Sequence, residues 1–368
     1  MEPLSNIPGG MRYYFGREAR VRRAVEDAVM GVFDGWGYEE IATPSVDYYA
    51  LFERGMGHDE ARRSFRFTDT DGRLLALRPD VTSSVARAAA TLFASAPRPL
   101  RFCYAASVFR QRPRSHAEWK RQGRQLGCEL IGAPGGEADA EVLAIAAEVL
   151  ERLRLRFRVT LNHVGVFNGV AEHLGLDEAE RERVRLLIDA RDAAGLEDVL
   201  ASRVDVRASS LAQSLTRLAR GRGAIEEARA VLDNTRSLEA LDALERTWDI
   251  VEALELSDVF DLDLGDVSGL DYYTGLVFKI YAEGAGARVG SGGRYDELTA
   301  NFGRREPAVG FVLDLDAISD ILARAGDLET ENGAPARPHS IEGAGTAERL
   351  REARRLRAEG RRVSFDSE

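Results

Sequence analysis

Cysteine and lysine are both scarce in this 368-residue chain. The two cysteines, Cys103 and Cys128, lie on apolar segments with no metal-like spacing. A disulfide framework is thereby excluded, and buried thiols in a reducing compartment are expected. Only Lys120 and Lys279 are lysines among 50 basic residues; this skew belongs to composition and carries no functional reading. No apolar run approaches the roughly 20 residues that span a bilayer, so no membrane helix is expected. The opening stretch MEPLSNIPGGMRYYFGREAR lacks an apolar h-region, so no secretory signal is expected either, and the location implied is cytoplasmic. Positive charge is in deficit, 50 basic against 61 acidic residues for a net charge of −11. Nucleic-acid binding by bulk electrostatics is not expected of such a chain, since phosphate contacts need clustered cations.

What the chain does have is a globular profile, 44% apolar and 30% charged, long enough for a well-buried core. Apolar residues at helical spacing predict a helix from Arg17 to Trp36, ended by Gly35 and Gly37. YEEIATPSV then predicts a strand stopped at Pro44. SFRFTDTDGRLLALRPDVT predicts a hairpin, with arms Phe65–Thr68 and Leu74–Arg78 around Asp69-Thr70-Asp71-Gly72. A helix from Thr82 to Ala94 follows, with Thr82 or Ser83 near its cap. LRFCYAASVFRQ and GRQLGCELIG predict two strands joined by a polar loop at Pro113–Gly123. Gly135–Arg154 reads as a helix and Phe157–Asn162 as a strand.

From about residue 166 to 256 the pattern is helical and charge-rich, which predicts an inserted helical subdomain. Strands resume in VFDLDLGD, LVFKIYAE, GARVGSGGRYDEL and AVGFVLDL. Hairpin-connected strands backed by helices predict an α+β fold with an antiparallel sheet flanked by helices. Residues 1–325 are expected to form this body. Residues 326–368 are expected to be a Gly/Pro-rich linker and then one helix and one strand, a truncated remnant of an α/β domain.

The stretch VSGLDYYTGL, residues 267–276, sets Tyr272 and Tyr273 at the mouth of a strand. Alone it reads equally well as a turn entering a strand, since tyrosines are good strand residues. Four other segments change that balance: PGGMRYYFG, LRPDVTSSVAR, VFRQRPRSHAEWKRQGRQLGCELIG and GSGGRYDEL. In this order and spacing the five resemble the catalytic domain of histidyl-tRNA synthetase, a class II aminoacyl-tRNA synthetase, over roughly residues 5–320. The pairing of GLDYYTG with GGRYD is close to diagnostic of that family and its non-catalytic relatives.

The resemblance implies that Asp80, Thr82, Gln125, Glu129, Tyr272 and Tyr273 line a pocket for histidine. The residue types suit that ligand: carboxylates and hydroxyls for an α-ammonium group, and a hydroxyl or carboxylate for each imidazole nitrogen beside a flat apolar wall. The opposing reading makes Asp80 and Glu129 surface strand carboxylates, and Gly290, Gly292 and Gly293 a bulge.

On the nucleotide side the chain departs from the synthetases. Arg110 matches the arginine that contacts the α-phosphate, and Arg121 lies on the same side. Ser268, however, replaces an arginine before Gly-Leu-Asp-Tyr-Tyr, and Arg112 stands where a glutamate is usual. In the last class II motif Asp314 replaces a glycine and Ala317 the arginine that holds ATP. Amino-acid activation builds negative charge on the α-phosphate, and losing one such donor lowers rate ~10²–10³-fold. One branch of the family fits these losses, the regulatory subunits of short-form ATP phosphoribosyltransferase. That branch implies no catalysis, cofactor or metal of the chain's own. It implies a homodimer core paired through residues 17–46 and a hetero-oligomer, expected as a hetero-octamer, with a separate catalytic subunit. It implies histidine as feedback ligand, and neither tRNA nor membrane as partner. The alternatives are a diverged histidine–tRNA ligase, an enzyme activating histidine for another acceptor, and a regulatory domain of another histidine-responsive system.

Overall fold

A computed structural model describes residues 6–112, 120–200, 221–267, 272–325, 339–341 and 345–365. They divide into two compact units, residues 1–321 and 322–368. The first is built on an eight-stranded sheet of β1 (Glu39–Glu40), β5 (Leu100–Phe109), β6 (Gln122–Ile131), β7 (Phe157–His163), β8 (Phe260–Leu262), β9 (Leu276–Ala282), β10 (Gly290–Arg294) and β11 (Ala308–Asp314). Their spatial order is β1-β5-β6-β11-β10-β9-β7-β8. The six central strands pair antiparallel, as expected. The edges differ, because β1 runs parallel to β5 and β8 parallel to β7, which makes the sheet mixed.

A smaller sheet has the order β2-β4-β3, from β2 (Val46–Tyr48), β3 (Arg66–Thr68) and β4 (Leu74–Leu77). The expected hairpin is its β3–β4 pair, closed where the Gly72 N–H donates to the Asp69 carbonyl at 3.0 Å. The strand expected from YEEIATPSV and stopped at Pro44 is the short β1, and past a bend at Ser45 the chain enters β2 of the other sheet. A buried cation holds that bend. Arg78 donates to the carbonyls of Thr43 and Ser107, both at 2.6 Å, and so ties the small sheet to β5.

Helices cover the back of the large sheet. The helix Gly16–Gly35 buries Val21, Val25, Val29, Val32 and Phe33, the i, i+4 stripe read from sequence. Phe33 meets Phe311 of β11 edge-on at 5.8 Å. Gly136–Arg152 lies on the same layer, and the charge-rich stretch after β7 forms, among the described residues, helices Val164–His173, Glu178–Asp189, Ala193–Leu200, Arg222–Val231 and Thr235–Ala253. Cys103 and Cys128 are free, buried, and opposite one another in the β5–β6 ladder.

The front face carries the helix Thr82–Ala90, the 3₁₀ turn Leu298–Phe302 and the small sheet, packed with Phe102, Tyr104, Ala106 and Tyr295. In the second unit β12 (His339–Ser340) and β13 (Val363–Ser364) pair parallel around the helix Thr346–Ala358, over a small core of Ile341, Ala353 and Leu356. β12 is a strand beyond the one helix and one strand expected of residues 326–368. Among the described residues no helix is long and apolar enough to cross a membrane, and no His/Cys/Asp/Glu group is placed to hold a metal ion.

Candidate functional site

The register of the sheet assembles the site. Strand residues alternate between faces, so Gln125, Gly127 and Glu129 of β6 face the front while Arg124, Leu126 and Cys128 face the helices behind. Glu129 lies opposite Phe102 on one side and Gly310 on the other. Gly310 is what lets the carboxylate lie flat across β11: a Cβ there would come within 2.0 Å of Glu129 Oε2 and 2.4 Å of the Cys128 carbonyl. Gly127 does the same for Tyr104, whose hydroxyl would be 2.5 Å from an added Cβ.

Three hydroxyls then converge on Glu129. Thr82 donates to Oε1 at 2.8 Å and Tyr104 to the same oxygen at 3.1 Å, while Tyr295 donates to Oε2. Thr82 opens its helix without capping it, and no side chain caps that helix; the predicted cap is corrected here, because Thr82 spends its hydroxyl on Glu129 and Ser83 on Asp80. Asp80 is 6% exposed. Its Oδ2 accepts from Ser83 at 3.3 Å, and its Oδ1 is buried with no hydrogen-bond partner. Burial pushes the Asp80 carboxyl up to about 6 and the Glu129 carboxyl up to about 7. Burial likewise holds the Tyr104, Tyr272 and Tyr295 phenols well above their usual range.

Tyr272 closes this group. Its ring stands edge-on to Tyr273 at 4.9 Å and to Tyr295 at 5.8 Å. Asp80, Thr82, Glu129, Tyr272 and Tyr273 are therefore brought together. Gln125 shares the face but stands four residues along β6 from Glu129, about 13 Å at strand rise, between Ala106 and Asp314. Sequence reasoning missed Tyr104 and Tyr295. The signal for Tyr295 was present in GGRYD, whose Arg294 anchors the strand end by ion pairs to Asp139 and Asp296. Nothing local marked Tyr104, which is a site residue only because β5 pairs with β6.

On the other side, Arg110 and Arg121 leave β5 and enter β6 joined by the Arg110 N–H and the Arg121 carbonyl at 2.8 Å. The Arg121 guanidinium lies 4.6 Å over the Phe65 ring. Asp314, expected to oppose a nucleotide, accepts the backbone N–H groups of Asp316 and Ala317 at 2.8 and 3.0 Å. It thereby caps the helix Leu315–Ala325, where carboxylates complement the helix dipole. Ala317 lies in the first turn of that helix. Ser268 falls outside the described residues.

A carboxylate pair lined by phenols suits a ligand with a cationic amine and a second hydrogen-bonding group. Comparison with known proteins agrees with this architecture. The family model described as histidyl-tRNA synthetase matches residues 10–318. An ATP phosphoribosyltransferase regulatory subunit of Moorella thermoacetica is 36% identical over 98% of this chain and 92% of its own length. One of Symbiobacterium thermophilum is 38% identical over 98% and 91%. Among solved structures, an ATP phosphoribosyltransferase regulatory subunit/histidyl-tRNA synthetase from Bacillus halodurans superposes with a TM-score of 0.87 at 29% identity, over 100% of this chain and 93% of that one. A histidine–tRNA ligase subunit from Alicyclobacillus acidocaldarius gives 0.75 at 29% identity, over 89% and 100%. With the family model matched over residues 10–318 and the relatives' sequences over most of its length, the chain belongs to the histidyl-tRNA synthetase family, in the group formed by the ATP phosphoribosyltransferase regulatory subunits.

Proposed function

We propose that this chain is the regulatory subunit of a short-form ATP phosphoribosyltransferase, acting without aminoacylation activity in the first step of histidine biosynthesis. Its partner is the separate catalytic subunit, in a hetero-oligomer around a homodimer of this chain. The cleft at Asp80 and Glu129 binds histidine as the feedback signal. The observation that carries the ligand reading is Asp80 Oδ1, a buried carboxylate oxygen with no partner, beside a second carboxylate and the Tyr272–Tyr273 pair. A buried anion left unpaired is costly, and the α-ammonium of an amino acid supplies what it lacks. The imidazole fits the phenol-lined half around Glu129.

The test is transferase rate against histidine concentration for the reconstituted complex. Histidine should lower the rate. Glu129→Ala and Tyr272→Phe each remove a partner of a buried polar ligand, at a cost of roughly 1–3 kcal/mol, so half-inhibition should move to about tenfold higher histidine or beyond. Identical inhibition of wild type and both variants would place the sensing site elsewhere. A second reading, histidine activation, is favoured by the match to a histidine–tRNA ligase subunit. Histidine-dependent exchange of pyrophosphate into ATP by the isolated chain would establish it. Ser268 and Ala317 in place of the two arginines argue for no exchange.

A further inference from the structure

We propose that the cleft takes up its amino-acid ligand in exchange for a proton: the ligand's ammonium group replaces a hydrogen ion held by the Asp80–Glu129 pair, and binding weakens as the solution is acidified. The inference rests on the histidine reading of this site and adds how its occupancy is regulated.

The geometry sets up the exchange. Both carboxyls are buried, Asp80 at 6% and Glu129 at 2% exposure, and the side-chain hydrogen bonds to them come from the neutral hydroxyls of Ser83, Thr82, Tyr104 and Tyr295. The surroundings hold little compensating charge. The start of the helix Thr82–Ala90 offers Thr82 and Ser83, and β5 offers Tyr104. Beyond the end of β5, Arg110 favours Asp80 ionisation through space. Behind Glu129 on β6 lies the neutral thiol of Cys128. The segment after residue 271 adds the Tyr272 and Tyr273 phenols, and the end of β10 adds Tyr295. From the helix His58–Ala61, Glu60 opposes a charge on Asp80, and Asp80 in turn opposes a charge on Glu129.

Two buried acids near one another, served by neutral donors, share less than two negative charges near neutrality. Burial accordingly raises both carboxyls, to about 6 and about 7. An entering ammonium keeps its own proton and pairs with Asp80, and the proton shed by the acid pair passes to the buffer. Linkage gives the sign. A group that must ionise for binding weakens affinity below its free-state pKa, by up to tenfold per pH unit.

The experiment is calorimetric titration of the full chain with histidine at pH 7.0, in two buffers of different ionisation enthalpy, and again from pH 5.5 to 7.5. About half a proton should be released per histidine at pH 7.0, and Kd should rise on the order of tenfold or more from pH 7.5 to 5.5. The ligand's own imidazole also titrates, near 6.5, so Glu129→Gln is the control, removing the protein's proton and not the ligand's. Release should fall by about half a proton in that variant, leaving only what the ligand's imidazole contributes. Tyr295→Phe, which withdraws one donor from the ionised carboxylate, should move the pH midpoint of binding upward, and it serves where Glu129→Gln fails to fold. Binding by wild type without proton release overturns the exchange while leaving the histidine reading intact. Undiminished release from Glu129→Gln, or an unmoved midpoint in Tyr295→Phe, overturns it too. Absence of histidine binding at every pH defeats the histidine reading itself.

Discussion

Replacing Gly310 with alanine tests the construction of the site with one methyl group. The added Cβ would lie 2.0 Å from Glu129 Oε2, 2.4 Å from the Cys128 carbonyl oxygen and 2.9 Å from Glu129 Cδ. The carboxylate is the end of a flexible side chain and yields by rotating away. The carbonyl is main chain in a central ladder and does not. Overpacking of this kind costs typically about 1–3 kcal/mol, and displaced Glu129 loses donors worth about 1 kcal/mol each. A loss of roughly 2–4 kcal/mol in stability is expected, or about 3–5 °C in Tm for a chain of this size, whose unfolding entropy is about 2.1 cal/mol/K per residue. Histidine affinity should collapse along with it, because Thr82, Tyr104 and Tyr295 converge on the displaced carboxylate. The assays are thermal unfolding followed by circular dichroism and equilibrium binding of labelled histidine. A Gly310→Ala protein that melts within 1 °C of wild type and binds histidine unchanged would refute the reasoning.

Arg294→Met should destabilise by about 3–5 kcal/mol, because Asp139, 8% exposed, is left as an uncompensated buried charge. Chemical denaturation checks this, and adding Asp139→Asn should restore much of the loss. Gly31→Ala, inside the helix Gly16–Gly35 with nothing within 4 Å of the new methyl, should stabilise by about 1 kcal/mol and raise the denaturation midpoint. Burial pushes His163 down from its usual value to about 4, and its Nδ1 accepts the Gly165 N–H at 3.1 Å. The unfolded chain thus binds this proton more readily, so stability should fall as pH drops from about 6.5 towards 4. His163→Asn keeps a capping acceptor and removes the titration, so unfolding measured across that range should show a shallower decline; an equal slope would mean His163 is not the source.

Where the chain writes short-range rules, its own residues were sufficient. The stripe Val21, Val25, Val29, Val32 located the first helix to within a residue at each end. Asp69–Gly72 located the hairpin, and the charge-rich periodicity located the helices described between β7 and β8. That Asp80, Glu129 and the tyrosine pair belong together was legible from the order of their motifs, and the structure gathers them in one buried cluster. Their chemistry, carboxylate and phenol, already pointed to an amine-bearing ligand.

Strand order was not legible in this way, and much of the site follows from it. β6 meets β11 only after a separation of about 180 residues, and no local propensity encodes that pairing. That pairing puts Gly310 under Glu129, and the β5–β6 register brings Tyr104 to the same carboxylate. The parallel edge strands and the division of residues 39–48 between two sheets were hidden for the same reason: hydrogen bonds to distant segments, not the residues' own preferences, set the direction of the chain there. Composition and motif determined which groups this protein has for holding a ligand. Packing across the sheet decided which of them share one buried space, and burial there decides whether they carry a proton.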